Sequence, residues 1–232
     1  METLFPPPNP VLVPVRGAER LYPVRRIFCV GQNYLAHAQE MGNDGRDPPF
    51  YFTKPADACV LSGATTAYPP MTTNLHYEME LVIALGTPAF NVPVGHAMDK
   101  IYGFACGLDM TRRDLQFEAR SKGRPWDLGK AFDDSAVLSP IVPLAETGLM
   151  AKGAIWLSVN GIRKQSSDIG KLIWSVPEIV ADLSRFYHLQ PGDLIYSGTP
   201  EGVGPVTPGD RLEGGIESVG SISLTIGPVG PA

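Results

Sequence analysis

His76-Tyr77-Glu78-Met79-Glu80-Leu81-Val82-Ile83-Ala84-Leu85 is the stretch from which the fold of this 232-residue chain is read. If it forms one strand, Glu78 and Glu80 share a face with Val82 and Ala84, while Tyr77, Met79, Leu81 and Ile83 share the other. Both faces carry apolar residues, the pattern of a strand covered on both sides. Two ionised carboxylates entering such a strand are costly unless a cation or hydrogen bonds compensate. A third acid, Asp109, ends the similarly apolar Phe104-Ala105-Cys106-Gly107-Leu108. Three convergent carboxylates without cysteine suit a hard divalent ion, magnesium or manganese. On Glu-x-Glu alone, however, a strand with one wet face is the commoner explanation, because so short a motif recurs by chance.

Composition narrows the setting of that strand. With 44% hydrophobic residues the chain can build a sizeable core, and the 25 glycines and 23 prolines favour short strands and tight turns over long helices. The net charge of −5, with no basic cluster beyond pairs such as Arg25-Arg26 and Arg112-Arg113, argues against nucleic acid or an acidic membrane as partner. Cys29, Cys59 and Cys106 are odd in number and widely spaced, so neither a disulfide framework nor a Cys-x-x-Cys site is expected, and a reducing cytoplasm fits. The N-terminal residues lack the basic start and apolar run of a secretory signal, and no stretch is long enough to cross a membrane. The expectation is a soluble protein with a small partner molecule.

Working outward, residues 1–24 hold Pro6-Pro7-Pro8, Pro10, Pro14 and Pro23 and are expected to be an extended arm without a catalytic role. Ile27-Phe28-Cys29-Val30 reads as a buried strand, followed by helical character from Asn33 to Met41. Within that helix His37 and Glu40 stand three apart, close enough for the carboxylate to orient the imidazole, although a surface pair has the same spacing. Residues 42–49 are polar and rich in turn formers, which allows a lid. Thr111 is placed to cap a helix from Arg112 to Lys122 that carries Arg113, Gln116 and Phe117 on one side. Lys130 stands among small and apolar residues, compatible with burial beside an acid or with a surface lysine. Asn160-Gly161 is a strong hairpin signal. Ser175 and Pro177 open a helix running to about His188, with Ile179, Val180, Leu183 and Phe186 on its apolar face. Asp193 to Ser197 reads as a strand leading to a glycine-rich loop, Gly198 to Gly204, that lacks the marks of a nucleotide site.

Taken in order, these pieces resemble the fumarylacetoacetate hydrolase family, in particular its small single-domain acylpyruvases. The matching stretches are Cys29 to Tyr34 with His37 and Glu40, Phe52-Thr53-Lys54-Pro55, Asn74 to Leu81, Leu108 to Gln116, Pro125 to Lys130, and Ser197 to Gly204. Six motifs in the right order, over roughly residue 25 to the end, reverse the odds for Glu78 and Glu80. The resemblance implies a β-rich α+β fold with a mixed β-sheet rolled on itself and short flanking helices, residues 25–232 as the catalytic domain, and a homodimer. It implies a magnesium or manganese ion held by Glu78, Glu80 and Asp109, a water-activating dyad of His37 and Glu40, and a catalytic Lys130. Arg113, Gln116, Gly198 and Thr199 would line the substrate pocket. Family members more often carry arginine where Gln32 stands, which bears on the preference for the distal group. The implied reaction is hydrolysis of the C–C bond of a 2,4-dioxo acid such as fumarylpyruvate to pyruvate and a carboxylic acid, in aromatic-compound catabolism in the cytoplasm. Oxaloacetate decarboxylation or keto–enol isomerisation would proceed through the same enolate and is the alternative.

Overall fold

The structure is a computed structural model that describes residues 3–6, 9–35 and 47–230. Its organising layer is a curled, mixed, eight-stranded sheet. Seven strands follow in the order Phe50–Lys54, Arg26–Gly31, Asp193–Tyr196, Met79–Leu85, Ile101–Asp109, Ala136–Leu138 and Cys59–Leu61, and Val142–Pro143 joins the Ile101–Asp109 strand. Asp193–Tyr196 runs parallel to Arg26–Gly31, and Ala136–Leu138 parallel to Cys59–Leu61; the other pairings are antiparallel. Every residue of Met79–Leu85 is buried. Met79, Leu81, Ile83 and Leu85 enter the larger core, and Val82 and Ala84 enter a second core with Ile27, Cys29, Leu194 and Tyr196. Burying each such aliphatic side chain contributes about 1.5–3 kcal/mol, so the strand cannot slip register without reversing both faces.

The decisive stretch is nevertheless two strands. Leu75–Tyr77 pairs with Thr111–Arg112 and Gly204–Val206 in a separate three-stranded sheet, and the chain leaves strand geometry at Glu78 before Met79–Leu85 begins. Glu78 therefore sits at the seam between two sheets, where its carbonyl accepts the Asp109 backbone N–H at 2.9 Å. A five-stranded sheet closes the molecule on the other side, in the order Ile162–Asp168, Ala154–Val159, Arg211–Ile216, Gly220–Val229 and Thr65–Tyr68. Its Asn160-Gly161 turn has φ values of 50° and 78°, the two left-handed residues that a tight hairpin requires.

Three expectations are corrected by packing. Much of the proline-rich N-terminal segment is not a free arm: Leu12–Val13 pairs with Tyr22–Pro23, and Val13, Val15, Tyr22 and Val24 are buried in the second core. An extended segment can place alternate residues on a sheet face without internal hydrogen bonds, and here Ile141 supplies them by bonding Pro14 O and receiving Arg16 N–H. The helix expected from Arg112 spans Arg113–Ser121, and Thr111 does not cap it. The helix opened by Ser175 spans Val176–Phe186 with a capping box between Ser175 and Glu178, but Phe186 is 65% exposed and outside its apolar face. Among the described residues no helix is long and apolar enough to cross a membrane. His37, Glu40 and most of the expected 33–41 helix and 42–49 loop lie outside the described residues.

Candidate active site

Glu78, Glu80 and Asp109 converge. Each offers one carboxylate oxygen such that the three atoms lie within 4.8 Å of one another, and all three residues are buried. Sheet register brings them together: Met79 pairs with Leu108 and Glu80 with Gly107, which sets the end of the Ile101–Asp109 strand beside Glu78 and Glu80. The wet-face reading of the two glutamates is thereby excluded.

Cations are built in around two of the acids. Lys130, 2% exposed, donates to Glu78 Oε2, Asp109 Oδ2 and Thr111 Oγ1, each at 2.7 Å. All three of its ammonium hydrogens are thus engaged. Its pKa is held above the usual lysine value: burial works against the charge, and Asp109 and Glu78 overcome it. Lys54, to which no role is given from sequence, lies 2.8 Å from Asp109 Oδ1, close enough for an ion pair though not aligned as a hydrogen bond. Lys54 also donates to the carbonyls of Met110 and Lys130, tying the lysine-bearing turn to the metal-side strand. Arg113 donates through Nη2 to Glu78 Oε1 and through Nη1 to Gln116 Oε1, both at 2.5 Å, and through Nε to His76 Nδ1 at 3.4 Å. Burial, followed by the adjacent Arg113 charge, lowers the His76 pKa to about 4, so it is the neutral acceptor that Arg113 requires.

Glu80 is different. Among the described residues no cationic side chain pairs with it, and it accepts instead the Gly198 backbone N–H, 2.7 Å from Oε2. Burial, then the charges of Asp109 and Glu78, push its carboxyl well above the ordinary range. Three acids thus face three cations, Lys130, Lys54 and Arg113, and among the described residues Glu80 is the acid that none of them pairs. An all-oxygen donor set that includes a buried carboxylate without a paired cation fits a hard divalent ion, which would let all three carboxylates ionise together.

Gly198 is where the loop after Asp193–Tyr196 turns back. Its φ of +104° disfavours any side chain, and a Cβ there would meet Asn33 Cβ at 2.7 Å. Asn33 Nδ2 in turn donates to Ser197 O at 2.8 Å, which holds the loop, and to Trp174 O at 3.0 Å, which ties it to the segment before the Val176–Phe186 helix. Gly198 thus acts on Glu80 rather than lining the cleft directly. Glu78, Glu80, Arg113, Gln116, Lys130, Thr199 and Gln32 line one cleft, with Phe52 and Trp126 as an aromatic wall, ring centroids 5.8 Å apart. Beyond that wall a second cavity shares Phe52, Trp126 and Lys130. Of the expected substrate contacts, Arg113, Gln116 and Thr199 reach the cleft, and Arg113 does so while bonded to Glu78. Lys54, His76 and Gln165 carry no role in the sequence reading, and Thr111 carries only a capping one. Lys54 and His76 stand inside recognisable motifs and were open to notice, whereas Thr111 carries equally good capping credentials and Gln165 carries no local signal.

Residues 26–227 match the fumarylacetoacetate (FAA) hydrolase C-terminal family. A fumarylpyruvate hydrolase of Ralstonia sp is 60% identical over 179 residues, 77% of this chain and 93% of that protein. A human mitochondrial oxaloacetate tautomerase, FAHD1, is 39% identical over 202 residues, 87% of this chain and 91% of that protein. The crystal structure of fumarylpyruvate hydrolase from Pseudomonas aeruginosa in complex with Mn2+ and pyruvate superposes with a TM-score of 0.95 at 50% identity, covering 98% of this chain and 100% of that one.

Proposed function

The chain belongs to the fumarylacetoacetate hydrolase family, and from that membership we propose that it hydrolyses an acylpyruvate of the fumarylpyruvate type to pyruvate and a carboxylic acid. The observation that carries the reading is the buried carboxylate trio, of which Glu78 and Glu80 line a cleft that also holds hydrogen-bond donors. Glu78, Glu80 and Asp109 would hold a divalent cation, manganese as in the Pseudomonas enzyme or magnesium. Such an ion, when bound, supplies Lewis acidity that polarises the substrate's 2-keto oxygen and favours the enolate over the keto form.

The protein's own groups do the rest. A 2,4-dioxo acid presents only acceptor oxygens at its pyruvoyl end, and the cleft answers with Lys130, Thr199 and the Gln116 amide. Arg113 uses its guanidinium to hold Glu78 and the Gln116 oxygen, leaving the Gln116 NH2 to face the cleft. His37, oriented by Glu40, takes a proton from water, and the resulting hydroxide attacks the C4 carbonyl. The C3–C4 bond then breaks, its electron pair passing to the pyruvoyl half as an enolate and the acyl half leaving as a carboxylic acid. Lys130 meets the growing charge on the enolate oxygen by exchanging its Thr111 bond, a contact stronger in the transition state than before it. Protonation at C3 completes pyruvate.

Residence in the cytoplasm, a homodimeric assembly and a place in aromatic-ring breakdown belong to the same proposal. A second reading, oxaloacetate keto–enol isomerisation, draws support from the 39% identity to the human tautomerase. It needs no attacking water. His37→Ala is expected to suppress acylpyruvate hydrolysis more than oxaloacetate turnover, and equal loss of both would remove the dyad from the mechanism. The primary test follows the ultraviolet absorbance of acylpyruvates and the pyruvate released, with manganese or magnesium and with EDTA. Absence of metal-dependent pyruvate release across a panel of acylpyruvates would defeat the proposal.

A further inference from the structure

Gln165 is fully buried on a strand whose neighbours Arg163, Lys164 and Ser166 are exposed. The cause is a fault in the ladder: Leu157 pairs with Gln165 but Ser158 pairs with Arg163, so Lys164 is the extra residue of a β-bulge. In an unbroken strand Arg163 and Gln165 would share a face. The bulge separates them, leaving Arg163 over the outward Trp156 ring, 3.8 Å from its centroid, and turning Gln165 inward.

Inside, the orientation of the Gln165 amide is forced by chemistry. Its Oε1 accepts the Met79 backbone N–H at 3.1 Å, a group that can only donate, and Met79 lies between Glu78 and Glu80. Its Nε2 donates to Pro200 O at 2.8 Å, a group that can only accept, and to Thr199 Oγ1 at 2.8 Å. Thr199 Oγ1 is therefore an acceptor toward Gln165, and its own proton finds no acceptor among the described residues. Thr199 lines the cleft, so that proton is available to a ligand.

Resting on the 2-oxo acid reading of this cleft, we infer that Gln165 is a positioning residue that fixes Thr199 as a hydrogen-bond donor to an acceptor oxygen of the bound 2-oxo acid. The same amide holds the backbone between Glu78 and Glu80, so one side chain couples the polarity of the Thr199 hydroxyl to the placement of the carboxylates. Gln165→Glu keeps an acceptor for Met79 but removes the donor, so the Thr199 proton turns back onto the new carboxylate.

The test measures pyruvate affinity of the manganese-loaded protein by calorimetry, beside thermal unfolding. Gln165→Glu and Thr199→Val are each expected to weaken pyruvate binding about tenfold or more, and Thr199→Ser to stay within about twofold of the parent. If Gln165 acts through the hydroxyl, the double variant Gln165→Glu/Thr199→Val binds no worse than the weaker single variant. Parent-like pyruvate affinity in Thr199→Val overturns the inference even should Gln165→Glu fail to fold. So do multiplicative losses in the double variant. If the parent hydrolyses acylpyruvates while these variants bind pyruvate normally, the inference falls and the proposed function stands; a parent with neither hydrolysis nor pyruvate binding fails at the function itself.

Discussion

Replacing Lys130 by methionine keeps an unbranched, nearly as long side chain and removes the ammonium group with its charge and its three donated hydrogens. In the folded protein those hydrogens go to Glu78 Oε2, Asp109 Oδ2 and Thr111 Oγ1, all at 2.7 Å, from a residue 2% exposed. The variant leaves two buried carboxylates facing each other with one cation fewer. Removing one partner of a buried ion pair costs about 3–5 kcal/mol, because the remaining charge is left uncompensated. At about 2–4 °C per kcal/mol for a domain of this size, the midpoint of thermal unfolding is expected to fall by roughly 6–20 °C without metal. Manganese should recover part of that loss by supplying positive charge to the same oxygens. Turnover of an acylpyruvate should drop by about a hundredfold or more even in the metal-loaded variant, since the enolate loses its donor. Differential scanning fluorimetry with and without manganese, followed by pyruvate release, separates the two effects. A variant that melts within about 2 °C of the parent would show that Lys130 does not neutralise the carboxylates, and the account of the site would be wrong.

Gly198→Ala places a Cβ 2.7 Å from Asn33 Cβ at a φ of +104°, and the resulting strain of about 1–3 kcal/mol should appear as a lower melting temperature together with weaker manganese binding, because the Glu80 contact moves; an unchanged manganese titration would contradict the role given to Gly198. Glu80→Gln should remove manganese-induced stabilisation, worth about 2.7 kcal/mol at a hundredfold excess over Kd in the parent. Because the folded-state pKa of Glu80 is raised by burial and its acidic neighbours, the metal-free parent has its full Glu80 contribution below the ordinary carboxylate pKa and loses it as pH rises through the raised value. Glu80→Gln lacks that loss, so melting curves of the two apo proteins should diverge with rising pH, and parallel curves would refute the assignment. Deleting residues 1–20 uncovers the second core by removing Val13 and Val15, for an expected cost of roughly 3–6 kcal/mol. Undiminished thermal stability of the truncated chain would show that this packing is dispensable.

Much of the local grammar was legible. The two-faced apolar pattern placed Glu80, Val82 and Ala84 on one side of a buried strand, although Glu78 falls in the break before that strand; Asn160-Gly161 specified its hairpin; Ser175 and Pro177 opened their helix. These depend on backbone preferences and on a side-chain period of two, which neighbouring residues set among themselves. The trio of acids was legible as a cost that something must offset, and the order of six motifs supplied the family. What neighbours cannot set is which distant groups meet. Thr111 has the chemistry of a helix cap, yet its hydroxyl accepts from Lys130, because the strand end and the Asp127–Lys130 turn close on the same buried space. The proline-rich segment has no helical or strand period, yet its valines cover a sheet face that exists only once Arg26–Gly31, Asp193–Tyr196 and Met79–Leu85 have paired. Alternation along Ile162–Asp168 gives no warning that Lys164 bulges and turns Gln165 toward Thr199. Sequence by itself determined which carboxylates enter the apolar strands and, for Glu80, the face it occupies. Tertiary structure decided which of their charges are neutralised by lysine and arginine, and left Glu80 as the one that asks for a metal, since ion pairing in a desolvated interior depends on distances of about 3 Å that only the assembled sheets define.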